Sequence, residues 1–238
     1  RKGALSLDPT IVEKAKDPTA IQDKEFASRL QDSLKQIKVS AKWSQYALLF
    51  RAADYFRQAR KPRAEWKKLD DLSAQLAEFD LRCAAGDYDT AASVLTDFDM
   101  EYLFQWGHYR LMIQMQEKLQ GKTQDKIMAM WCLNNIGAAY AKIGDIKRGI
   151  RFQEMGLHLA RELSNGAAEG VFLGNLGNRY DTLGDMRKSI EFHEQALVID
   201  REIRNRNGEG NDLTNLGNRY IALGNERKAV EYHESALV

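Results

Sequence analysis

Proline is almost absent from this chain. Only Pro9, Pro18 and Pro62 occur in 238 residues, so beyond residue 62 no helix is interrupted by a missing N–H donor. Alternating β-branched residues are also scarce, which argues against sheets. An excess of one charge is missing as well: 35 Lys+Arg stand against 34 Asp+Glu, a net charge of +1. That balance gives nonspecific nucleic-acid binding no electrostatic footprint. No apolar run approaches the roughly 18–20 residues of a membrane span, and no signal peptide opens the chain. The two cysteines, Cys83 and Cys132, lie far apart in apolar, helix-like contexts. They are expected to be free, buried thiols of a cytoplasmic protein.

What is present is an ordinary folding composition, 44% hydrophobic and 29% charged, with apolar spacings of three and four. It also carries a repeat. Residues 175–198 read NLGNRYDTLGDMRKSIEFHEQALV and residues 215–238 read NLGNRYIALGNERKAVEYHESALV. The two match at 16 of 24 positions without a gap, at an offset of 40. One step earlier, residues 135–156 read NIGAAYAKIGDIKRGIRFQEMG. Gly137, Gly177 and Gly217 line up, as do Tyr140, Tyr180 and Tyr220, and Gly144, Gly184 and Gly224.

The landmarks have physical readings. Leu176 and Tyr180 share a helical face and are expected inside. A mid-helix glycine costs about 0.5–1 kcal/mol relative to alanine, so Gly177 is expected to mark the close approach of a neighbouring helix. Gly184-Asp185 reads as a helix stop and turn. A second helix follows, with Ile190, Phe192, Ala196 and Leu197 packing. The stretch Arg204-Asn205-Arg206-Asn207-Gly208 is expected to close the unit as a loop.

This pattern resembles the tetratricopeptide repeat, in a long form with N-L-G-N-x-Y and a 40-residue period rather than 34. That form is shared by Pins-type spindle-orientation adaptors and many bacterial multi-repeat proteins, and kinesin light chains share the longer period. The proline usual after the second helix is missing. The resemblance implies an all-α α-solenoid of helix-turn-helix hairpins. The extra residues are expected to lengthen the second helix and the loop after it. Regular repeats are drawn at 131–170, 171–210 and 211–238, the last cut short. Degenerate hairpins at 71–130 precede them, with Gly86-Asp87 and Gly107 as turns. Residues 1–70 form an N-terminal helical segment.

Within that segment, Asp8-Pro9 and Asp17-Pro18 are turn or helix-start signals, and residues 25–39 are weakly amphipathic. Residues 44–58 form an amphipathic helix broken at Lys61-Pro62. Residues 65–83 are expected to form one long helix with Trp66, Leu69, Leu72, Leu76 and Phe79 inward. The stretch RAADYFRQARKPRAEWKKLDDLSAQLAEFDLRCAAGDYDTAASVL from Arg51, with the block FDMEYLFQWGHYRLMIQMQEKLQGK, resembles the linker between ATPase and repeats in bacterial STAND (NLR-like) proteins. Several of those act in antiphage defence. The resemblance implies a sensor or regulatory arm. The ATPase loop G-x-x-x-x-G-K-[ST] is absent from these residues. A start without methionine and an end inside a repeat suggest a piece of a longer protein.

No catalytic constellation is legible, and the chain is not read as an enzyme. His193 and His233 hold one repeat position, on helices about 10 Å apart, too far to share a metal ion; they are read as packing residues. No cofactor is expected. Asp87-Tyr88-Asp89 reads as a turn and helix cap. The candidate groove residues are Asn175, Asn178, Arg179 and Thr182 at helical spacing, then Asn215, Asn218 and Arg219. Asn135 and Lys142, with Asn134 beside them, complete the set. In the proteins resembled here, asparagines at such places clamp an extended peptide; an amide both donates to and accepts from a peptide backbone. The other reading is that they cap turns or hydrate a polar groove. The clamp for chaperone C-termini is set aside, because Gly174, Thr214, Val171 and Asn211 stand where it needs lysines. The expected partner is a protein or peptide, with no nucleic acid and no membrane. A self-association scaffold is the alternative.

Overall fold

The computed structural model of this protein describes residues 42–237. The turn signals at Pro9 and Pro18 and the amphipathic stretch 25–39 lie outside the described residues. The described chain is all-α, without a strand. It divides into two compact units, one ending at Phe98 and one beginning at Asp99.

In the first unit, α1 (Lys42–Gln58) stops ahead of Pro62 as expected. It buries Ala53 and Phe56 against Ala74 and Leu81 of α2 (Ser73–Ala85). The long helix expected over 65–83 is interrupted. Short 3-10 turns at Arg63–Glu65 and Leu69–Leu72 precede α2. Asp71 explains the break. Its carboxylate accepts the Lys67 and Lys68 N–H groups, both at 3.1 Å, and the Lys61 ammonium at 2.7 Å. Lys61 chiefly holds the Asp71 pKa down to about 2. The arrangement holds Lys68 extended, with φ −151° and ψ 166°, which no continuous helix allows. Glycine then ends α2 at Gly86 with φ 77°, and Asp87 caps α3 (Tyr88–Thr96) by accepting from Thr90 N–H.

The second unit opens on a π-helical stretch, Asp99–Phe104, and α4 (Tyr109–Leu119). Six helices follow: α5 (Lys126–Lys142), α6 (Ile146–Glu162), α7 (Gly166–Thr182), α8 (Met186–Glu202), α9 (Arg206–Ala222) and α10 (Glu226–Ala236). Five of them, α5 to α9, have 17 residues each, and every junction between consecutive members of the six is three residues long. The 40-residue period is therefore a 20-residue rhythm played twice. Hairpins begin at residues 126, 166 and 206, five residues ahead of the boundaries drawn from sequence. The loop expected at 204–208 is a three-residue turn, and Arg206, Asn207 and Gly208 form the first turn of α9. The extra length lies in the helices.

One turn design serves all five junctions. The middle residue is left-handed: Gly144, Ser164, Gly184, Arg204 and Gly224 have φ of 88°, 52°, 77°, 59° and 72°. The next residue donates its N–H back five places, as Asp145 does to Tyr140 O at 3.0 Å and Asn205 to Asp200 O at 2.8 Å. This closes the preceding helix. The same residue, Asp145, Asn165, Asp185, Asn205 or Asn225, then caps the next helix by accepting the N–H three residues on.

Within hairpins, the conserved-register glycines do what their cost implied. A Cβ at Gly137, Gly177 or Gly217 would stand 2.7, 2.6 and 2.6 Å from Gln153, His193 and His233. The helices of a pair meet there, backbone against side chain. Lower in each hairpin the tyrosine stacks flat on the partner helix: Tyr140 on Phe152, Tyr180 on Phe192 and Tyr220 on Tyr232, with centroids 5.3–5.5 Å apart. Arg148, Lys188 and Lys228 cover the outer tyrosine faces at 5.2, 4.8 and 4.7 Å. Between hairpins, Arg161 pairs with Glu169 and Arg201 with Glu209, at 2.7 and 2.8 Å.

The two joints between hairpins differ inside. At the first, the Phe172 ring lies against Gly156, where an added Cβ would fall 2.2 Å from the ring. At the second, Asp212 takes the place of Phe172 and bonds buried His193, Oδ1 to Nδ1 at 3.0 Å.

Two stability predictions follow from this geometry. Ser164→Gly and Arg204→Gly relieve a left-handed non-glycine and should each stabilise by about 0.5–1 kcal/mol in urea unfolding, whereas Gly184→Ala should destabilise by about 1 kcal/mol. Gly177→Ala strikes an imidazole tethered by Asp212 and should lower the melting temperature more than Gly217→Ala, whose neighbour His233 is half-buried and has no such tether among the described residues.

Candidate functional site

The first helix of each hairpin (α5, α7, α9) carries the candidate groove residues, and the constant register decides which of them are already engaged. The amide at the position shared by Asn135, Asn175 and Asn215 reaches back by one repeat. Asn135 donates Nδ2 to Asp99 Oδ2 at 2.8 Å. Asn175 donates Nδ2 to Asn134 Oδ1 at 2.9 Å. The place that Asn134 holds in the first repeat is Gly174 in the second, so Asn215 has no amide to meet and makes no side-chain hydrogen bond among the described residues. Asn135 is buried, with 7% exposure; its side chain belongs to the interior rather than to a ligand face. Asn134 is drawn inward as well, taking a weak donation from Gln153 at 3.5 Å beside the Asn175 bond.

The arginines divide in the same way. Arg219 pairs with Asp181 of the preceding hairpin at 3.1 Å. One repeat earlier, the place of Asp181 is Ala141, and Arg179 makes no ion pair or side-chain hydrogen bond among the described residues. Its Nε is buried and unpartnered. Burial presses its pKa below the ordinary value, and no carboxylate offsets this. Thr182 returns its hydroxyl to Asn178 O at 2.9 Å, and the Lys142 ammonium lies over the Phe104 ring at 5.7 Å. Among the described residues nothing engages the side-chain amides of Asn178 and Asn218. The polar groups on this face that no described residue engages are therefore Asn178, Arg179, Asn215 and Asn218.

Sequence reasoning missed the acid behind the first repeat. Asp99 is 1% exposed and accepts from Gln116 Nε2 and Asn135 Nδ2, both at 2.8 Å, and from Met100 N–H at 2.7 Å. Burial raises its pKa from 3.8 to about 6, against those donors. A polar chain thus runs from Asp99 through Asn135 and Asn134 to Asn175. The amide-rich composition of 134–135 was the available signal. An acid buried on a preceding helix left none.

Beside this chain lies an apolar pocket of about 270 Å³ lined by Leu119, Cys132, Leu133, Ile136, Phe152 and Met155, among others. It has two local causes. α4 ends at Leu119, seven residues before α5, whereas α6 and α8 end four residues before the next helix. Cys132 also holds the position that Phe172 fills one repeat later. Burial pushes the Cys132 thiol up to about 12, so it stays protonated. Among the described residues no group of three or more His, Cys, Asp or Glu could hold a metal ion, and no helix is long and apolar enough to cross a membrane.

Residues 172–237 match the tetratricopeptide repeat family. That span covers most of the last two hairpins. No curated protein matches the sequence. Among solved structures, the chain is similar to a Rap protein complexed with Competence and Sporulation Factor, at 13% identity and a TM-score of 0.53, over 97% of this chain and 76% of that one. It is also similar to aspartyl phosphate phosphatase F from Bacillus subtilis, at 14% identity and 0.51, over 100% and 76%. A STAND protein with a tetratricopeptide repeat sensor from Pyrococcus horikoshii aligns at 16% identity and 0.48, over 95% of this chain and 36% of that one. At such identities the Rap and phosphatase likenesses speak for the fold alone: helical hairpins of the tetratricopeptide type.

The buried acid sets a pH dependence. The folded state holds the Asp99 proton up to about pH 6, while the unfolded chain releases it near 3.8. Stability should therefore rise as pH falls from 7 toward 5, by about 1 kcal/mol. Asp99→Asn should flatten that rise in urea titrations at pH 5, 6 and 7.

Proposed function

We propose that the hairpins of α5 to α10 form a binding scaffold for an extended peptide or a protein segment, held along the polar face of α5, α7 and α9. The observation that carries this reading is the set of unengaged groups on that face. Asn178, Asn215 and Asn218 offer amides that no described residue uses, at positions where a helix gains nothing from asparagine. Each can pair with a peptide backbone irrespective of its side chains, and each such bond contributes about 0.5–1.5 kcal/mol. The Rap protein similar in fold was solved in complex with Competence and Sporulation Factor, and this reading gives the present chain a comparable occupancy. Asn135 is left out, and Asn134 and Asn175 serve to hold adjacent repeats in register.

The finer role is that of a sensor or regulatory arm in a larger signal-transducing protein, such as those in antiphage defence. It rests on the resemblance of the stretch from Arg51 to the linker of STAND ATPases. A phosphate-binding loop encoded upstream in the full gene would support it; an unrelated upstream domain would end it.

Peptides selected from a random library on the wild-type chain provide the test of the scaffold. The triple variant Asn178→Ala, Asn215→Ala, Asn218→Ala should bind them at least tenfold more weakly by calorimetry, with helicity unchanged by circular dichroism. Equal affinity would remove the groove reading. A library that yields no binder, together with concentration-dependent sedimentation, would favour a self-association scaffold.

A further inference from the structure

The two arginines of the N-L-G-N-R-Y signature look equivalent in sequence and are not equivalent in the fold. Both guanidinium groups have a buried, unpartnered Nε. Both sit four residues after an asparagine on the first helix of a hairpin. Arg219 is neutralised from within the chain by Asp181 at 3.1 Å. Arg179 is not. The residue one repeat before Asp181 is Ala141, whose methyl group offers no charge, and the next residue, Lys142, adds a cation to the same end of α5. Desolvating a guanidinium without a counter-charge is costly. The fold meets that cost at Arg219 with an aspartate and leaves it standing at Arg179.

We infer that Arg179 is a receptor for a carboxylate supplied by the bound segment, an Asp or Glu side chain, docking where Asp181 docks on Arg219. The inference rests on the peptide-binding reading and adds its chemistry: the ligand is acidic at one defined position, beside the Asn178 amide. The Arg219–Asp181 pair is the internal model of the bound state. A guanidinium offers a planar fork of donors to a carboxylate, so an acid is favoured over a neutral amide. Arg179 is half-buried rather than sealed, which leaves its tip within reach of a ligand.

The repeat supplies its own controls. Ala141→Asp gives Arg179 the intramolecular partner that Arg219 already has. Asp181→Ala releases Arg219. The probe is a blocked five-residue peptide, Gly-Ser-Glu-Ser-Gly, and its glutamine counterpart, titrated into protein labelled with ¹⁵N-arginine; the side-chain Nε–Hε signals are followed by NMR and assigned with Arg179→Lys and Arg219→Lys. The Arg179 signal should move saturably with the glutamate peptide and at least tenfold more weakly with the glutamine peptide, while Arg219 stays still. Ala141→Asp should abolish the Arg179 response with helicity intact, and Asp181→Ala should make Arg219 respond. A silent Arg179, equal responses from both arginines, or an unchanged response in Ala141→Asp would overturn the inference. The groove reading fails separately: if Arg179 responds while the triple asparagine variant binds selected peptides as well as wild type, the carboxylate site stands and the amide clamp does not.

Discussion

Everything on the polar face depends on a register held by one kind of turn. Three residues join each helix of the last three hairpins to the next, and a left-handed residue at the centre is followed by an Asp or Asn that both closes one helix and opens the other. Because the turn never changes length, the first helices of successive hairpins meet at fixed positions. Asn175 finds Asn134 and Arg219 finds Asp181. A single inserted residue would rotate the following helix by about 100° and remove all such meetings downstream. The close seating of helix on glycine adds the lateral constraint, since His193 leaves no room for a methyl group at Gly177.

Much of this was legible beforehand. The offset of 40 residues, the glycine-marked approach of paired helices and the Gly-Asp turns followed from spacing and from the conformational cost of glycine. What escaped reading has physical reasons. The 20-residue rhythm was hidden because Ser164 and Arg204 occupy left-handed positions that glycine fills elsewhere. Without the glycine, 204–208 resembled a loop. The helix expected over 65–83 was broken by Asp71, whose bonds to Lys61, Lys67 and Lys68 bring together residues three to ten apart in ways that periodicity does not register.

The groove was legible in outline and not in detail. Helical spacing placed ten residues on related faces, but whether each is free depends on what stands one repeat earlier. Gly174 in place of Asn134 leaves Asn215 open, and Ala141 in place of Asp181 leaves Arg179 open. Those substitutions are visible in the alignment of the repeats. Their meaning needs the knowledge that the first helices of successive hairpins touch at these positions. The burial of Asn135 was beyond reach, because its partner Asp99 lies outside the regular repeats in a π-helical stretch.

The unlike interiors of the two joints have a further consequence. From outside, the hairpins share their turns and tyrosine stacks, and the last two also share the N-L-G-N-R-Y signature. Inside, the first joint is sealed by a phenyl ring against a bare backbone and the second by an imidazole–carboxylate pair. Each hairpin therefore carries a key on one side and a lock on the other, cut to different patterns. Transposing two of them, or excising one, would set a carboxylate against the Gly156 seat or an aromatic ring against His193. The order of the modules is thus written into their hidden surfaces, and a shared repeat pattern does not make them interchangeable parts.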